Sequence, residues 1–275
     1  MSNGSNRYHG ILSHLPSVTR GLLLLNLAIY FTDLLLFDHA IRSQAKFSIP
    51  TAIGGLKVWQ FISFQFMHGN VGHLLMNGIG LYFFAPVVER AWGGVKFLGF
   101  YLICGIGGAT AFCLLAIVGI LPEGATQASL VGASGGIYGL AMAVAVLAPH
   151  ARVQLLFPPI TLSMRQLALA MVTVAVAVIL FHWGNNAGGE AGHLGGAAVG
   201  FLLAKRGAVL GLTTRKPSKK SARYIEAKIR PRTVVDLRAE SHLDAILDKI
   251  SREGFQSLSE DERDLLHREA NKGQD

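Results

Sequence analysis

Charge is what this 275-residue sequence lacks most: 15% of its residues are charged while 51% are hydrophobic, with a mean hydropathy of +0.41. Soluble domains carry about 25% charged residues. The shortage is uneven. Of 25 Lys+Arg and 17 Asp+Glu, residues 1–204 hold only 9 and 5, too few to clothe a water-facing surface. Cysteine is scarce too. Cys104 and Cys113 lie nine residues apart in one apolar run, which excludes an intrahelical disulfide and leaves two buried thiols. No Cys/His spacing suits zinc, and no H-E-x-x-H occurs, which argues against a metalloprotease. No metal or cofactor is expected.

What is present is a series of long apolar runs. A span needs about 20 apolar residues, somewhat fewer beside Gly-rich loops. Six are expected: Val18–Phe37, Gly72–Val88, Phe97–Leu121, Ser129–Ala148, Leu167–Trp183 and Ala191–Ala204. The fold class is therefore all-α, a polytopic six-helix membrane bundle over residues 18–204 after a cytosolic N-terminal segment, 1–17. Arg7 and Arg20 before "GLLLLNLAIYF" imitate a signal peptide, but no A-x-A-like cleavage site follows, so a retained first span is expected. Lys and Arg favour the cytoplasmic side of short loops. Arg90, Lys96, Arg152 and Arg165 lie after even-numbered spans, whereas the loops after spans 3 and 5 hold only Glu123 and Glu190. Both termini are thus expected in the cytoplasm, although Arg42, Lys46 and Lys57 in the long first loop dissent.

After span 6 the composition inverts. Residues 205–232 carry ten basic residues against Glu226 alone, a juxtamembrane run suited to anionic lipid headgroups; nothing in it reads nucleic acid. In residues 233–275, Leu243, Ile246, Leu247 and Ile250 recur at helical spacing, and "SLSEDERDLLHRE" opens a second helix with Ser259 and Glu262 as a capping box. The expectation is a small cytosolic helical tail whose role the sequence does not state.

The chemistry gathers inside the apolar part. "GASGG", Gly132 to Gly136, fits G-x-S-x-G, with Ser134 at the mouth of span 4. Ser134 precedes His150 by 16 residues and His193 precedes Lys205 by 12. At about 1.5 Å per residue these are rises of about 24 and 18 Å from the inner surface. Serine and histidine share one depth, on the order of 6–12 Å below the outer surface. Gly192, Gly196 and Gly200 recur at small-xxx-small spacing, as do Gly135, Gly139 and Ala143, stripes that let two helices approach closely in lipid. A serine hydroxyl needs a base to take its proton, and neutral histidine supplies one. Tyr138, one turn after Ser134, can stack on the imidazole. Spans 4 and 6 contain no acid; Glu190, one turn before His193, is the single nearby carboxylate, and a Ser134–His193 dyad is the reading adopted. "FQFMHGNVGHLLMNG" adds His68, His73 and Asn77 at the same mouth, with His73 and Asn77 on one helix face. Polar groups at membrane depth mark a functional or wet pocket.

With these residues in hand the chain resembles the rhomboid family of intramembrane serine proteases. "GASGGIYG" is similar to the family's nucleophile motif, "AGHLGGAAVG" to its final-span histidine motif, "MHGNVGHLLMN" to its H-x4-H-x3-N pattern, and "ERAWGGVKF" to its E-R-x-x-G-x-x-K-F segment. The resemblance covers about Trp59 to Ala204. It implies Ser134 as nucleophile and His193 as general base and acid. His73, Asn77 and the Ser134 backbone N–H would form the oxyanion hole, with His68 supporting the pocket by hydrogen bonding. It implies substrates that are transmembrane helices, cut near their outer ends at small residues. One departure is Trp59-Gln60 where many members have Trp-Arg, which puts the bracing of the first outer loop in question.

A pseudoenzyme that binds transmembrane helices without cutting them competes with this reading, as does a transporter whose Ser, His and Asn line a polar path. Both candidate catalytic residues are present, and neither intramembrane charge nor inverted repeats are evident. A soluble α/β-hydrolase would need its G-x-S-x-G at a strand-to-helix turn, not in apolar runs of span length. The expected setting is a bacterial plasma membrane, on grounds of compactness.

Overall fold

A computed structural model describes residues 12, 14–155, 159–183, 186–207, 245–246 and 248–272. The chain divides into two compact units, Met1–Lys228 and Ile229–Asp275. The described residues of the first form six long helices: α1 (Ser17–Leu36), α4 (Val71–Trp92), α5 (Gly94–Ile117), α6 (Ser134–Leu147), α7 (Met164–Phe181) and α8 (Ala187–Lys205). Two short helices, α2 (Ala40–Ala45) and α3 (Gln60–Ser63), lie in the α1–α4 connection. The unit is not purely helical. Phe47–Ser48 (β1) pairs antiparallel with Ser129–Leu130 (β2), and Arg152–Gln154 (β3) with Thr161–Ser163 (β4).

Several helix boundaries have an identifiable cause. The N-terminus of α1 is capped from another helix: the buried Glu89 carboxylate accepts from the Val18 and Thr19 amides at 3.0 and 2.7 Å and from Thr19 Oγ1 at 2.7 Å. Beside it, Arg90 donates to the His14 carbonyl. These two contacts account for the Glu-Arg pair in "ERAWGGVKF". Asn70 caps α4 by accepting from the His73 amide at 2.8 Å, and Gly93, at φ 84°, ends it and lets α5 begin at once. Ser163 and Gln166 form a capping box at α7.

Among the described residues four helices, α1, α4, α5 and α7, are long and apolar enough to cross a membrane. They carry large apolar side chains outward: Leu24, Leu35, Phe83, Ile103, Leu169 and Leu180 are all exposed, as suits an integral membrane protein. The remaining two are different. Span 4 was expected from Ser129, but Ser129–Leu130 is strand and Gly132 has φ +119°, so the helix starts at Ser134 and runs for 14 residues. The sixth was expected from Ala191 and begins earlier, at Ala187, with 19 residues that include Glu190 and His193. The departures share a cause: turn-forming glycine shortens one helix, and polar residues hide the start of the other from a hydropathy reading.

Helices α5, α6 and α8 form the tight centre. A Cβ on Gly196 would overlap the Gly135 carbonyl, one on Gly200 would overlap Gly139, and one on Gly195 the Gly107 carbonyl. A Cβ on Gly108 would come within 2.6 Å of the Gly192 carbonyl oxygen. Backbone thus meets backbone on two faces of α8. The first outer loop is also well tied. Gln60 is buried, donating to the Gln44 carbonyl at 2.9 Å and accepting from Thr51 Oγ1 at 2.6 Å. Arg42 donates to the His68 and Gly69 carbonyls. The Trp59-Gln60 departure therefore leaves a loop braced by the glutamine itself.

In the second unit residues 248–253 are helical, and Glu260–Lys272 forms a further helix. Ser259 and Glu262 make the expected capping box, at 2.8 and 3.3 Å, and Lys249 pairs with Glu262 at 2.9 Å. Ile246 and Leu258 are buried. Leu243, Leu247 and residues 208–232 of the basic segment lie outside the described residues, as do residues 1–11 of the N-terminal segment.

Candidate active site

The loop before α6 is held from two sides. The β1–β2 pair anchors Ser129 and Leu130, and the Gly132 amide donates to the Phe64 carbonyl at 2.9 Å. Ser134 is the first residue of α6, so its own N–H belongs to the set that a helix leaves without an internal partner. Hydroxyl and free amide therefore sit together at the positive end of a helix.

Across the glycine contact, His193 lies on the second turn of α8. Its Nε2 is 2.8 Å from Ser134 Oγ, and its Nδ1 is 2.8 Å from Glu190 Oε2. The Tyr138 ring stacks on the imidazole at 4.2 Å between centroids and 11° between planes. The close approach follows from Gly192, Gly196 and Gly200 meeting Gly135 and Gly139. With side chains there the two helices would stand further apart than a hydrogen bond can bridge.

The donors expected around an oxyanion converge on Gly132. A Cβ built there would lie 2.6 Å from His73 Nε2 and 3.6 Å from Asn77 Nδ2. That position takes glycine for two reasons: its φ of +119° disfavours an L side chain, and space for one does not exist. Asn77 is oriented by donating to the His73 carbonyl at 2.9 Å. His68 packs edge-on against His73, with centroids 5.3 Å apart. It is 2% exposed in the loop before α4; burial first, then the neighbouring His73, lowers its imidazole to about 4. It is a neutral wall of the pocket. A small cavity of about 20 Å³ opens beside the serine, lined in part by Phe64, Leu130, Ser134, Gly135 and Gly192.

Among the described residues no group of three or more His, Cys, Asp or Glu could hold a metal ion. Sequence reasoning set aside Glu190, whose contact with His193 needs a helix that starts before Ala191. It also missed the glycines of α5. "GIGGATA" carries small residues at helical spacing and could have announced Gly107, Gly108 and Ala111 as the second face for α8.

A membrane-helix bundle with serine and histidine hydrogen-bonded across two glycine-packed helices defines a narrow class. Residues 55–208 match the family model described as a rhomboid domain, and the chain belongs to the rhomboid family. Residues 237–272 match a second model, described as a family of unknown function (DUF6576). The chain is similar to the rhomboid protease AarA of Providencia stuartii, 26% identical over 68% of this chain and 71% of the relative. It is similar to RHOMBOID-like protein 4 of Arabidopsis thaliana, 27% identical over 59% of this chain but only 37% of the relative's length. The rhomboid protease GluP of Bacillus subtilis is 26% identical over 56% of this chain and 26% of the relative.

Proposed function

We propose that the chain is an intramembrane serine endopeptidase that cleaves transmembrane helices near their outer ends. The observation that carries this reading is the 2.8 Å hydrogen bond between His193 Nε2 and Ser134 Oγ, made between two separate helices in an apolar bundle. Ser134 Oγ attacks the scissile carbonyl carbon as His193 Nε2 takes its proton. The carbonyl π pair moves onto oxygen, where the Ser134 N–H, His73 and Asn77 donate. Collapse breaks the C–N bond, His193 protonates the leaving amine, and water then hydrolyses the acyl-serine with the same histidine as base. A helix with satisfied backbone bonds resists this until a segment unwinds into a wet site. The cavity beside Ser134, about 20 Å³, admits a group about the size of one water, which favours a small residue at the cleaved bond.

In this proposal all six long helices of the first unit cross the bilayer. The two termini and the tail lie in the cytoplasm of a bacterial cell, and the basic segment rests on anionic headgroups. The test is labelling of the detergent-solubilised chain with a fluorophosphonate, wild type against Ser134→Ala and His193→Ala. Labelling lost in both variants supports the reading. Folded wild type that neither labels nor cleaves a reconstituted transmembrane substrate overturns it in favour of a helix-binding pseudoenzyme. Labelling that survives Ser134→Ala assigns the nucleophile elsewhere.

A further inference from the structure

We propose that Glu190 is a positioning residue for His193, fixing the tautomer and orientation of the base that the Ser134–His193 pair uses. The inference rests on the protease reading above and goes beyond it in naming what fixes the base. A carboxylate can only accept hydrogen bonds, and Glu190 Oε2 is 2.8 Å from His193 Nδ1. The Nδ1 nitrogen must therefore carry the proton. That leaves Nε2 with its lone pair directed at Ser134 Oγ, 2.8 Å away, which is the tautomer a general base needs.

Four features hold the carboxylate to this task. Glu190 lies three residues before His193, on the same face of α8. It sits in the first turn of that helix, where the helix dipole favours a negative charge. Its second oxygen, Oε1, accepts from Asn186 Nδ2 at 3.3 Å, so each oxygen has its own donor. The side chains of His193 and Glu190 are only 15% and 13% exposed, which limits competition from water. Tyr138 and Glu190 then divide the work on the imidazole. The stacked phenol sets the plane of the ring, and the carboxylate sets its rotation within that plane. When His193 takes the serine proton, the new cation faces a carboxylate and not an empty pocket.

The Asn186 contact makes the amide variant informative. In Glu190→Gln the oxygen of the new carboxamide is drawn to the Asn186 donor and its NH2 is turned to His193 Nδ1. An NH2 there demands an unprotonated Nδ1, which moves the ring proton to Nε2 and blocks proton acceptance from Ser134. The groups that face His193 are Ser134 and Tyr138 from α6, His73 from α4 and Glu190 from its own helix. The α5 surface against α8 includes Gly107, Gly108, Ala111 and Phe112, and α7 carries Arg165 as its one charged side chain.

The experiment compares wild type, Glu190→Gln, Glu190→Ala and Glu190→Asp as full chains in detergent micelles, with two independent readouts. The first is kcat and KM on a reconstituted transmembrane substrate across pH about 5 to 9. Glu190→Gln is expected to lower kcat by about 10²-fold with KM and melting temperature unchanged. That is less than the ~10⁴-fold cost of an amide in a fully enclosed serine-protease triad. Loss of the carboxylate removes a stabiliser of the imidazolium, so the acidic limb of the profile moves to lower pH in Glu190→Ala. Glu190→Asp regains part of kcat. The second readout is the 15N shift pattern of the His193 ring, assigned by difference from His193→Gln: an Nδ1–H tautomer in wild type, displaced in Glu190→Gln. Wild-type kcat and an unmoved limb in both Glu190→Gln and Glu190→Ala overturn the proposal. So does equal thermal destabilisation of all three Glu190 variants, which marks a structural cap. An inactive wild type that still shows the Nδ1–H tautomer, lost in Glu190→Gln, sinks the protease reading while sustaining the positioning role. An inactive wild type without that tautomer sinks both.

Discussion

At the scale of single residues the site depends on one position without a side chain. Gly132 has φ +119°, and the Cβ of any other residue would meet His73 Nε2 at 2.6 Å. Gly132→Ala is expected to cost about 1–3 kcal/mol in backbone strain and to displace the His73 donor. The labelling rate of Ser134 should fall by about 10²-fold, the loss typical of one oxyanion donor, with the Ser134–His193 pair intact. A rate within twofold of wild type would show that His73 does not serve the oxyanion. His68 sets a pH limit. Its folded imidazole is lowered from the ordinary 6.5 to about 4, so the unfolded chain takes up a proton that the folded chain refuses. Stability is full above about pH 6.5 and falls as pH drops toward 4, by about 3 kcal/mol at most. His68→Phe should flatten melting temperature against pH in that window; an unchanged slope would refute the assignment. Ser134, His193, His73 and Asn77 were legible in the sequence because reactive polar side chains stand out in apolar runs. The edge-on contact of His68 with His73 was not, because neighbours are a property of the packed loop.

At the scale of elements the glycines decide the geometry. Gly196 and Gly200 of α8 lie against the backbone of Gly135 and Gly139 of α6, so a side chain there has only backbone to displace. Overpacking a core costs about 1–3 kcal/mol when side chains can yield, and here they cannot. Gly196→Leu should lower thermal stability by more than that range and abolish Ser134 labelling together. Labelling retained at the wild-type rate would mean that the helices need not touch for the site to form. The small-xxx-small spacing announced this interface. It did not announce that α8 meets α5 through Gly107 and Gly108 at the same time, since a glycine run in one helix does not say which neighbour it faces. The helix starts were misjudged for a related reason. The extra turn of α8, which brings Glu190 beside His193, is rich in glycine and carries a charge, so it reads as loop until it is seen packed.

At the scale of the whole molecule two compact units carry different logic. The first, with its apolar exterior and helix bundle, is the rhomboid domain of an integral membrane protein. The second is polar and held by local contacts: the Ser259 amide donates to Glu262, and Lys249 pairs with it. These bonds, the backbone one foremost, hold the Glu262 carboxyl below its usual range. The folded group keeps its charge more readily than the unfolded one, so its contribution is present above about pH 4.5 and is lost as pH falls through the folded value. Glu262→Ala should speed amide exchange across Glu260–Lys272 at neutral pH and leave it unchanged in acid, measured by hydrogen–deuterium exchange of the full chain. Equal exchange in variant and wild type at neutral pH would remove the capping box from the account.

Sequence alone determined the membrane class, the family resemblance and the candidates for nucleophile and base, because hydropathy, glycine spacing and reactive residue types are written along the chain. Tertiary structure decided what those residues meet. It turned Gly132 into the floor beneath two donors, set His68 edge-on against His73, let Gln60 brace the outer loop and brought Glu190 to Nδ1 of His193. Each of these depends on where a helix begins or on how closely two backbones approach. Those are outcomes of the packed fold as a whole, and no single stretch of sequence records them.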